Sequence, residues 1–459
     1  MKKILATIGL MAMTGMAFSQ NAYDAMSMSQ TNPVLGTARY SGMAGAFTAL
    51  GGNSSAVKDN PAALGVYRSF DLSFSPSLYI NNDGDVKAAL DNFAFIINFG
   101  NKDRKHGYVT SSLGINYNRL NNFSRYTRTK GDVDYSLSDE FEPGDGYFED
   151  AADLGILDAN NPDYYFGDGD DIYKDCTFMQ KGHVGQWDIA YGLNISNMVY
   201  LGAGFGFTTL EYKETSLREE TAYVDGYSWY LDNYYEATGH GFNFKIGAIV
   251  KPIDMLRVGV SFETPTYYDI EEYAKEDLSG LIDDNFGESI FYDMRTPLKF
   301  RAGLGFVLGK RALIGLDYQY ENFKKTRLKY DDLNMDNETD IAEEEMCKVN
   351  TIKLGAEVQV VDGFCLRAGL AYSSKPIEKY TEKEAASIYN FRGLSFPQET
   401  FYVTGGAGYK MEHFYIDLSY VFQNSANVLY TSLPLNPGDY YLEENLKTRN
   451  IIATFGWRF

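Results

Sequence analysis

The residues best suited to catalysis or metal binding are few and widely spaced in this chain of 459 residues. The four histidines, His106, His183, His240 and His413, have no partner at a spacing that metal sites or activated nucleophiles use. His183 and His240 are both predicted near outer strand ends, which keeps a haem or metal receptor as an alternative. Because the sequence also has no phosphate-binding loop and no redox cysteine pair, we predict neither enzyme activity nor a cofactor.

The three cysteines, Cys176, Cys347 and Cys365, are too few for a disulfide scaffold. Cys347 and Cys365 fall at opposite ends of one predicted hairpin. At about 3.3 Å per strand residue, they are much farther apart than a disulfide allows. We therefore predict that at least one cysteine is free and that all three are structural.

The formal net charge of −21 argues against a nucleic-acid-binding protein, because such proteins need a basic face. Acidic residues concentrate at 132–175, including the run Asp168-Gly169-Asp170-Asp171. A calcium site is the alternative for this run, because hard cations prefer carboxylates, but the spacing matches no EF-hand loop. We interpret the run as a solvated loop and predict no metal.

Apolar and polar residues alternate along most of the chain after Tyr67, which is the pattern of β-strands. Short turns and long links also alternate, as in an up-and-down barrel of the outer membrane. We therefore predict an all-β transmembrane barrel of fourteen antiparallel strands, present as a monomer. The predicted strands are 69–80, 90–100, 107–124, 184–196, 199–213, 238–250, 255–271, 290–308, 311–327, 346–360, 364–377, 399–410, 413–425 and 446–459.

The two faces of the predicted strands differ as a membrane barrel requires. Ile352, Leu354 and Val358 share one face of a strand, opposite Lys353 and Glu357. An apolar face towards lipid and a polar face towards a lumen account for this division. A soluble β-sandwich could bury the same apolar face, but it would not explain the regular alternation of short turns and long links.

Both ends of the chain carry signals for export and assembly. Residues 1–19 have the features of a signal peptide, because Lys2-Lys3 precede an apolar run and we expect cleavage before Gln20. The apolar run is shorter than the roughly 20 residues that a membrane-spanning helix needs. The last strand alternates apolar residues up to Phe459, which looks like the signal that the barrel-assembly machinery recognises. We predict a signal peptide at 1–19, an N-terminal segment at 20–66 and a barrel at 67–459, located in the outer membrane of a Gram-negative bacterium.

The predicted N-terminal segment contains a stretch, residues 42–64, that is rich in small residues, which allow backbones to approach closely. Gly51-Gly52 interrupts a helical stretch, and Pro61 biases Asn60 away from the helical conformation. Because strands follow it, this compact piece must pack against or inside the β-structure.

With these features, the chain resembles the long-chain fatty acid outer-membrane transporter family (FadL/TodX-like). The resemblance rests on residues 44–53, on Asn60-Pro61-Ala62 as the family's NPA motif, on the fourteen strands, and on the hairpin residues 251–260 and 354–357. It implies that residues 20–66 form a hatch in the barrel lumen, with the NPA motif, Gly45, Gly51 and Gly52 as its hatch motif.

The resemblance also implies a function, namely passive transport of small hydrophobic molecules such as long-chain fatty acids or similar amphiphiles. These would enter through extracellular loops and leave sideways into outer-membrane lipid. The alternative is a surface receptor or adhesin, including a haem receptor, that acts through the long acidic loops. The hatch favours transport, because a pure adhesin needs no plug.

Charged residues are predicted to face the lumen. Side chains alternate between the two faces of a strand, and this alternation places four cations inward: Lys245, Lys299, Arg301 and Lys353. The strands between them carry the inward carboxylates Glu263, Asp317 and Glu321. In one interpretation these charges neutralise each other, because unpaired charges in a narrow lumen are costly. In the other, one or two of the cations remain available to bind a substrate carboxylate.

A lateral opening is predicted near one of two positions. Pro76 cannot donate a ladder hydrogen bond, so we predict a bulge or break in the first strand. The resembling family has its opening at an inward kink of the third strand, where this sequence offers Ser111, Ser112 and Gly114. A bulge without any gating role is the alternative at Pro76.

Overall fold

The computed structural model describes most of the chain. The described residues are 22–100, 104, 106–133, 136, 138, 151–156, 172–223, 227–279, 288–309, 311–329, 342–378, 394–430 and 441–459. The predicted signal peptide and the acidic run Asp168–Asp171 lie outside them.

The described β-structure is one antiparallel sheet that closes on itself, because β1 pairs with both β2 and β18. Its segments are β1 (Asp71–Ile80), β2 (Val86–Gly100), β3 (Tyr108–Asn122), β4 (Arg125–Val133), β5 (Ile172–Ile195), β6 (Val199–Ala222), β7 (Ser228–Ile253), β8 (Leu256–Glu263), β9 (Tyr267–Leu278), β10 (Glu288–Arg295), β11 (Lys299–Leu308), β12 (Ala312–Asn322), β13 (Arg327–Lys329), β14 (Lys348–Val361), β15 (Phe364–Ser373), β16 (Leu394–Lys410), β17 (Phe414–Tyr430) and β18 (Tyr441–Arg458).

Four pairs of consecutive segments each form one interrupted strand: β3 with β4, β8 with β9, β10 with β11, and β12 with β13. For example, β8 and β9 both pair with β7. The barrel therefore has fourteen strands, as predicted. Pro265 and Pro297 lie at two of the interruptions, on adjacent strands, because proline cannot donate to the ladder.

Several strands are longer than predicted on the side of the long links. Residues 214–222 and 228–237 were predicted as a link, yet they pair with each other as the outer parts of β6 and β7. Residues 125–133 and 172–183 likewise belong to β4 and β5. The sequence pattern missed these extensions because a strand that rises beyond the lipid needs no apolar outer face.

The outer surface of the barrel carries a belt of exposed apolar side chains. Leu354, Phe262 and Leu418 are 47%, 47% and 53% exposed, whereas the inward Lys353 and Arg301 are 0% and 4% exposed. The predicted division into an apolar outer and a polar inner face is confirmed, and it is typical of a transmembrane barrel. Among the described residues, no helix is long and apolar enough to span a membrane.

Residues 22–66 pack against the inner face of this wall. They contain helices α1 (Ala22–Ser29) and α2 (Ala38–Gly42) and the 3-10 segments Ser55–Lys58 and Pro61–Val66. Inward glycines of ten β-segments contact residues 42–65, and a Cβ on most of them would collide with this segment. These glycines are Gly114, Gly192, Gly202, Gly247, Gly259, Gly303, Gly315, Gly355, Gly369 and Gly406.

Candidate functional site

The Asn60-Pro61-Ala62 motif joins the N-terminal segment to the wall. Asn60 caps the 3-10 segment that begins at Pro61, because its side-chain oxygen accepts a hydrogen bond from the Ala62 N–H at 3.0 Å. Pro61 occupies the first position, where no N–H donor is needed. The Asn60 amide donates to the carbonyl of Thr48 at 2.8 Å and to that of Ala248 in β7 at 3.3 Å. This one side chain therefore holds two parts of the segment and one strand together.

The three glycines of the predicted hatch motif adopt left-handed backbone conformations. The φ angles are +72° at Gly45, +61° at Gly51 and +65° at Gly52, a region that favours glycine. A Cβ at Gly45 would lie 2.5 Å from the carbonyl oxygen of Pro33 and 2.9 Å from the ring of Tyr40. Gly45 is therefore required both for its conformation and for its lack of a side chain.

We expect Gly45→Leu to lower the free energy of unfolding by about 1–3 kcal/mol through overpacking. The measurement is the urea unfolding midpoint of the refolded barrel in detergent micelles. Gly84→Leu is the matched control, because Gly84 also has a positive φ but nothing lies within 4 Å of the position that a Cβ would occupy there. Equal losses for the two variants would contradict the packing argument and leave only backbone strain.

Asp59 lies at the centre of a buried charge cluster between the N-terminal segment and the wall. Its carboxylate accepts a hydrogen bond from the Tyr40 hydroxyl at 2.5 Å and lies 3.3 Å from Lys353 Nζ and 3.6 Å from Arg301 Nε. Burial alone would raise the pKa of Asp59, but Lys353, Arg301, Lys58 and the Tyr40 hydrogen bond together hold that pKa well below its usual range. Asp59 is therefore ionised at neutral pH and connects the segment to β11 and β14.

The four predicted lumen cations point inward, and each has a carboxylate partner. Lys245 lies 2.7 Å from Asp188, Lys299 lies 3.5 Å from Glu321, Arg301 lies 2.9 Å from Glu263, and Lys353 is paired with Asp59. Asp317 instead accepts a hydrogen bond from the backbone N–H of Thr48 at 2.7 Å. These pairs favour mutual neutralisation, and a role of the cations in ligand binding stays a prediction.

We expect Arg301→Gln to weaken the binding of dodecanoic acid and of dodecanol by the same factor. Arg301 is already engaged by Glu263, Asp59 and the Gln319 side chain, so it has no free charge for a ligand carboxylate. The two dissociation constants would be measured on purified protein in detergent. A selective loss of dodecanoic acid binding would instead assign Arg301 to ligand recognition.

The ion pairs described above form a charged layer in the lumen, and a cluster rich in apolar residues and tyrosines lies on its long-link side. Two of the tyrosines, Tyr212 and Tyr235, donate hydrogen bonds to the buried Glu214 and Glu272. On β5, for example, Asp188 belongs to the charged layer and Val184 to the apolar part. We call this buried group the upper apolar cluster, and α1 contributes Ala25 and Met28 to it. Its other members are Leu120, Val184, Leu210, Tyr212, Tyr235, Ala237, Tyr268, Ile270, Tyr292, Met294 and Leu328, with Phe123 packed against it.

Strands β2 and β3 separate at the height of this cluster. Their ladder runs from Gly100–Thr110 to Asn92–Asn118 and ends there, although β2 extends to Val86 and β3 to Asn122. Farther out, Lys87 Nζ donates to Ser124 Oγ at 2.9 Å and joins the strands again through side chains. We call the unpaired stretch, residues 86–91 facing residues 119–122, the β2–β3 gap.

A shallow, open apolar cavity of about 370 Å³ lies beside this gap on the outer face and is lined by Leu90, Phe93, Tyr117 and Trp187. Leu90 and Trp187 are 40% and 43% exposed on the outer face of the barrel. On the inner side, Leu120 belongs to the upper apolar cluster. Apolar surfaces therefore lie on both sides of the wall, and the outer one is next to the place where the β2–β3 ladder ends.

Pro76 lies in a bulge, as the sequence predicted. The β1–β2 register shifts between Ser75 and Pro76, which leaves Asp91 of β2 without a partner in the ladder. Strand β18 pairs with β1 on both sides of the bulge, and Ser75 Oγ lies 2.8 Å from Thr454 Oγ1. The wall is therefore closed at Pro76 itself, and the bulge acts on the neighbouring strand β2.

Gly114 lies outside the β2–β3 gap. It pairs with Ile96 of β2 and with Ala190 of β5 in regular stretches of the two ladders, and its inner side faces Leu64. The third strand does take part in the gap, but at Arg119–Asn122 and not at Gly114. The physical reason is that Gly114 makes room for the N-terminal segment and does not kink the strand.

The other residues with possible chemistry are dispersed. Within the described part of the chain, no three His, Cys, Asp or Glu side chains are grouped so that they could hold a metal ion. His183 lies 3.6 Å from Glu211 on the neighbouring strand. Cys176, Cys347 and Cys365 are all free thiols, so the prediction that they form no disulfide scaffold is confirmed.

Sequence reasoning did not single out Asp59, Asp188, Asn116 or Asn118. The signal for Asp188 was present, because Trp187 and Ile189 on either side of it are outward apolar residues. The same alternation, with Ile115 outward, places Asn116 inward. Asp59 carried a different signal, which is a charged residue inside a segment of small residues that must be buried.

No family model matches the sequence, and no curated protein matches it either. Solved structures do match. The P. putida toluene transporter TodX is 12% identical, with a TM-score of 0.55 over 93% of this chain and 99% of that chain. A Pseudomonas aeruginosa FadL homologue is 14% identical, with a TM-score of 0.55 over 94% and 99% of the two chains.

The Ralstonia pickettii toluene transporter TbuX is 12% identical, with a TM-score of 0.52 over 95% of this chain and 100% of that chain. Each likeness spans nearly the whole of both chains. The resemblance stated from the sequence is thereby confirmed at the level of the fold. This chain has the fold of the TodX- and FadL-type transport barrels.

Proposed function

We propose that this protein is an outer-membrane channel for the passive transport of hydrophobic molecules, with long-chain fatty acids or similar amphiphiles as substrates. One observation carries the proposal. The upper apolar cluster inside the lumen reaches Leu120 at the β2–β3 gap, and an apolar cavity lies on the lipid-facing side of the same gap. The two toluene transporters with the same fold support it.

The exit of the substrate is lateral in this proposal. Helix α1 is part of the apolar cluster, and below it the lumen holds the rest of the N-terminal segment and a layer of buried ion pairs, such as Arg301–Glu263 and Lys245–Asp188. An alkyl chain gains nothing from displacing paired charges, whereas the gap leads to lipid. Residues 20–66 act as the hatch that blocks a direct path, with Asn60-Pro61-Ala62 near the periplasmic mouth.

Assembly follows from the closing strand. We propose that the barrel-assembly machinery recognises β18 by its alternating apolar residues up to Phe459, and that β18 then closes the barrel by pairing with β1. The mature protein works as a monomer in outer-membrane lipid. It needs no cofactor, because passive movement of a hydrophobic molecule down its gradient involves no reaction.

Uptake of labelled oleate tests the function. We expect a strain that lacks the gene to take up oleate more slowly than its parent, and a plasmid copy to restore the rate. Uptake of labelled glucose, which does not need an apolar path, is the control and should not change. Equal oleate uptake in the parent and the deletion strain would refute the proposed function.

A further inference from the structure

A polar cavity of about 220 Å³ lies at the short-turn end of the lumen, between the N-terminal segment and the wall. The wall contributes Arg367 of β15, Lys410 at the end of β16 and Arg458 at the end of β18, and α2 contributes Arg39. The short turns of such barrels face the periplasm, so this cavity is near the periplasmic mouth. Pockets for drug-sized ligands have roughly 300–1,000 Å³, so the ligand that fits here is small.

Two arginines of this cavity have carboxylate partners that are more buried than they are. Arg39 donates two hydrogen bonds of 2.8 Å to Glu357, and its side chain is the more exposed of the two. Arg458 donates from Nε to Asp71, and the Arg458 side chain is 28% exposed whereas that of Asp71 is completely buried. The two terminal nitrogens of Arg458 donate no hydrogen bond to the described residues. The cavity therefore meets the guanidinium groups, with the carboxylates behind them.

Lys410 adds a positive charge that is not neutralised. Its ammonium group has no salt-bridge partner in the described part of the chain, and the residue is exposed. Lys410, Arg458 and Arg39 lie close enough that each repels the other two. The chain as a whole has a net charge of −21, so this positive group is a local feature and does not follow from the composition. A cavity lined by charges of one sign concentrates ions of the opposite sign, and a bound anion would relieve the repulsion.

We infer that Lys410, Arg458 and Arg39 form a binding site for a phosphate group, free or as the ester of a small molecule. A phosphate group has three strong acceptor oxygens and a charge of about −1.5 to −2 at neutral pH, which matches three cations. The planar fork of arginine suits two-point contact with phosphate, and lysine adds a point charge. A metal ion does not fit, because the nearby carboxylates Glu357 and Asp417 are both bound by Arg367.

The site joins the N-terminal segment to the wall, since Arg39 belongs to α2 whereas Lys410 and Arg458 belong to β16 and β18. A phosphate group bound to both parts holds the segment in place, because a ligand that binds only the folded arrangement stabilises it. The inference does not rest on the proposed function. The cavity lies at the opposite end of the lumen from the upper apolar cluster, so a failure of either proposal leaves the other standing.

Isothermal titration calorimetry on the purified barrel in detergent tests the site. The probes are inorganic phosphate, glycerol 3-phosphate and succinate, added in a Tris-chloride buffer at constant ionic strength. We expect both phosphates to bind more tightly than succinate. The tighter of the two phosphates then tells whether the ligand is an ester or the free ion. Binding of succinate as tight as that of both phosphates, or no binding of any probe, would overturn the inference.

Lys410→Met removes the unpaired charge, and it should fold because Lys410 has no ion pair to lose. We expect the dissociation constant of phosphate to rise about tenfold, as for the loss of one charge-assisted hydrogen bond. Lys410→Arg keeps the charge and should retain most of the affinity. Lys251→Met is the control, because Lys251 lies at another short turn, pairs with Asp254 and does not line this cavity. Unchanged affinity in Lys410→Met, or an equal loss in Lys251→Met, would refute the site.

Protease cleavage within residues 22–66 provides a second measurement. We expect phosphate to slow this cleavage in the wild type and to have little effect on Lys410→Met. The comparison needs the variant, because phosphate also strengthens the burial of apolar surface in proteins in general. Equal protection of the wild type and Lys410→Met would be that general effect, and it would contradict a phosphate site that holds the segment.

Discussion

Asp59→Leu is expected to destabilise the protein by about 3–5 kcal/mol, the typical cost of removing one partner from a buried ion pair. Lys353 would lose its carboxylate partner while it remains fully buried, and Arg301 would keep Glu263 and Gln319 but lose one of its two carboxylates. The Tyr40 hydroxyl would lose its acceptor as well. The free energy of unfolding in urea and the protease sensitivity of residues 22–66 are the two measurements.

A double variant provides the control for this prediction. Asp59→Leu combined with Lys353→Met removes both members of the pair, so no uncompensated lysine is left in the lumen. We expect the double variant to recover much of the stability that the single variant loses, because burying an unpaired charge is the main cost. If Asp59→Leu alone were as stable as the wild type, the charge cluster would not hold the N-terminal segment.

The same carboxylate predicts how stability depends on pH. The folded-state pKa of Asp59 lies below its usual value, so the protein gains stability from its ionisation above about pH 4, the usual Asp pKa. That contribution is lost as the pH falls from there through the folded-state pKa. Because Asp59→Leu has no carboxylate at this position, its unfolding free energy should fall less than that of the wild type over the same acidic range.

A covalent link across the β2–β3 gap is expected to stop oleate uptake. Leu90→Cys and Tyr117→Cys would place thiols on the two strands that border the cavity, in a background where Cys176, Cys347 and Cys365 are replaced by alanine. After reaction with a short bismaleimide, uptake should fall to the level of the deletion strain. The unreacted double variant is the reference, and its uptake rate before the crosslinker is added is the starting value.

The control link joins Val358→Cys and Leu366→Cys, which are direct partners in the regular part of the ladder between β14 and β15. Both positions are outward and 47% exposed, so the crosslinker reaches them equally well. This link should leave uptake unchanged. A fully crosslinked Leu90–Tyr117 sample that still takes up oleate at the normal rate would show that molecules do not leave through this gap.

The amino-acid sequence by itself determined the wall of the barrel. Strand alternation has a period of two residues, so it is a local property, and it correctly assigned Lys353 to the lumen and Leu354 to the lipid side. The count of fourteen strands followed from the same repeated signal. The bulge at Pro76 was also predictable, because the missing N–H is a property of the residue.

Only the tertiary structure decided which groups meet inside. Asp59 finds Arg301 and Lys353, which lie more than 200 residues away in the sequence, because closure of the barrel brings β11 and β14 around the N-terminal segment. The β2–β3 gap likewise depends on where the β2–β3 ladder ends, and alternation within a single strand contains no information about that. The period of a strand is local, whereas register, closure and the partners of buried charges are set by how all the strands pack together.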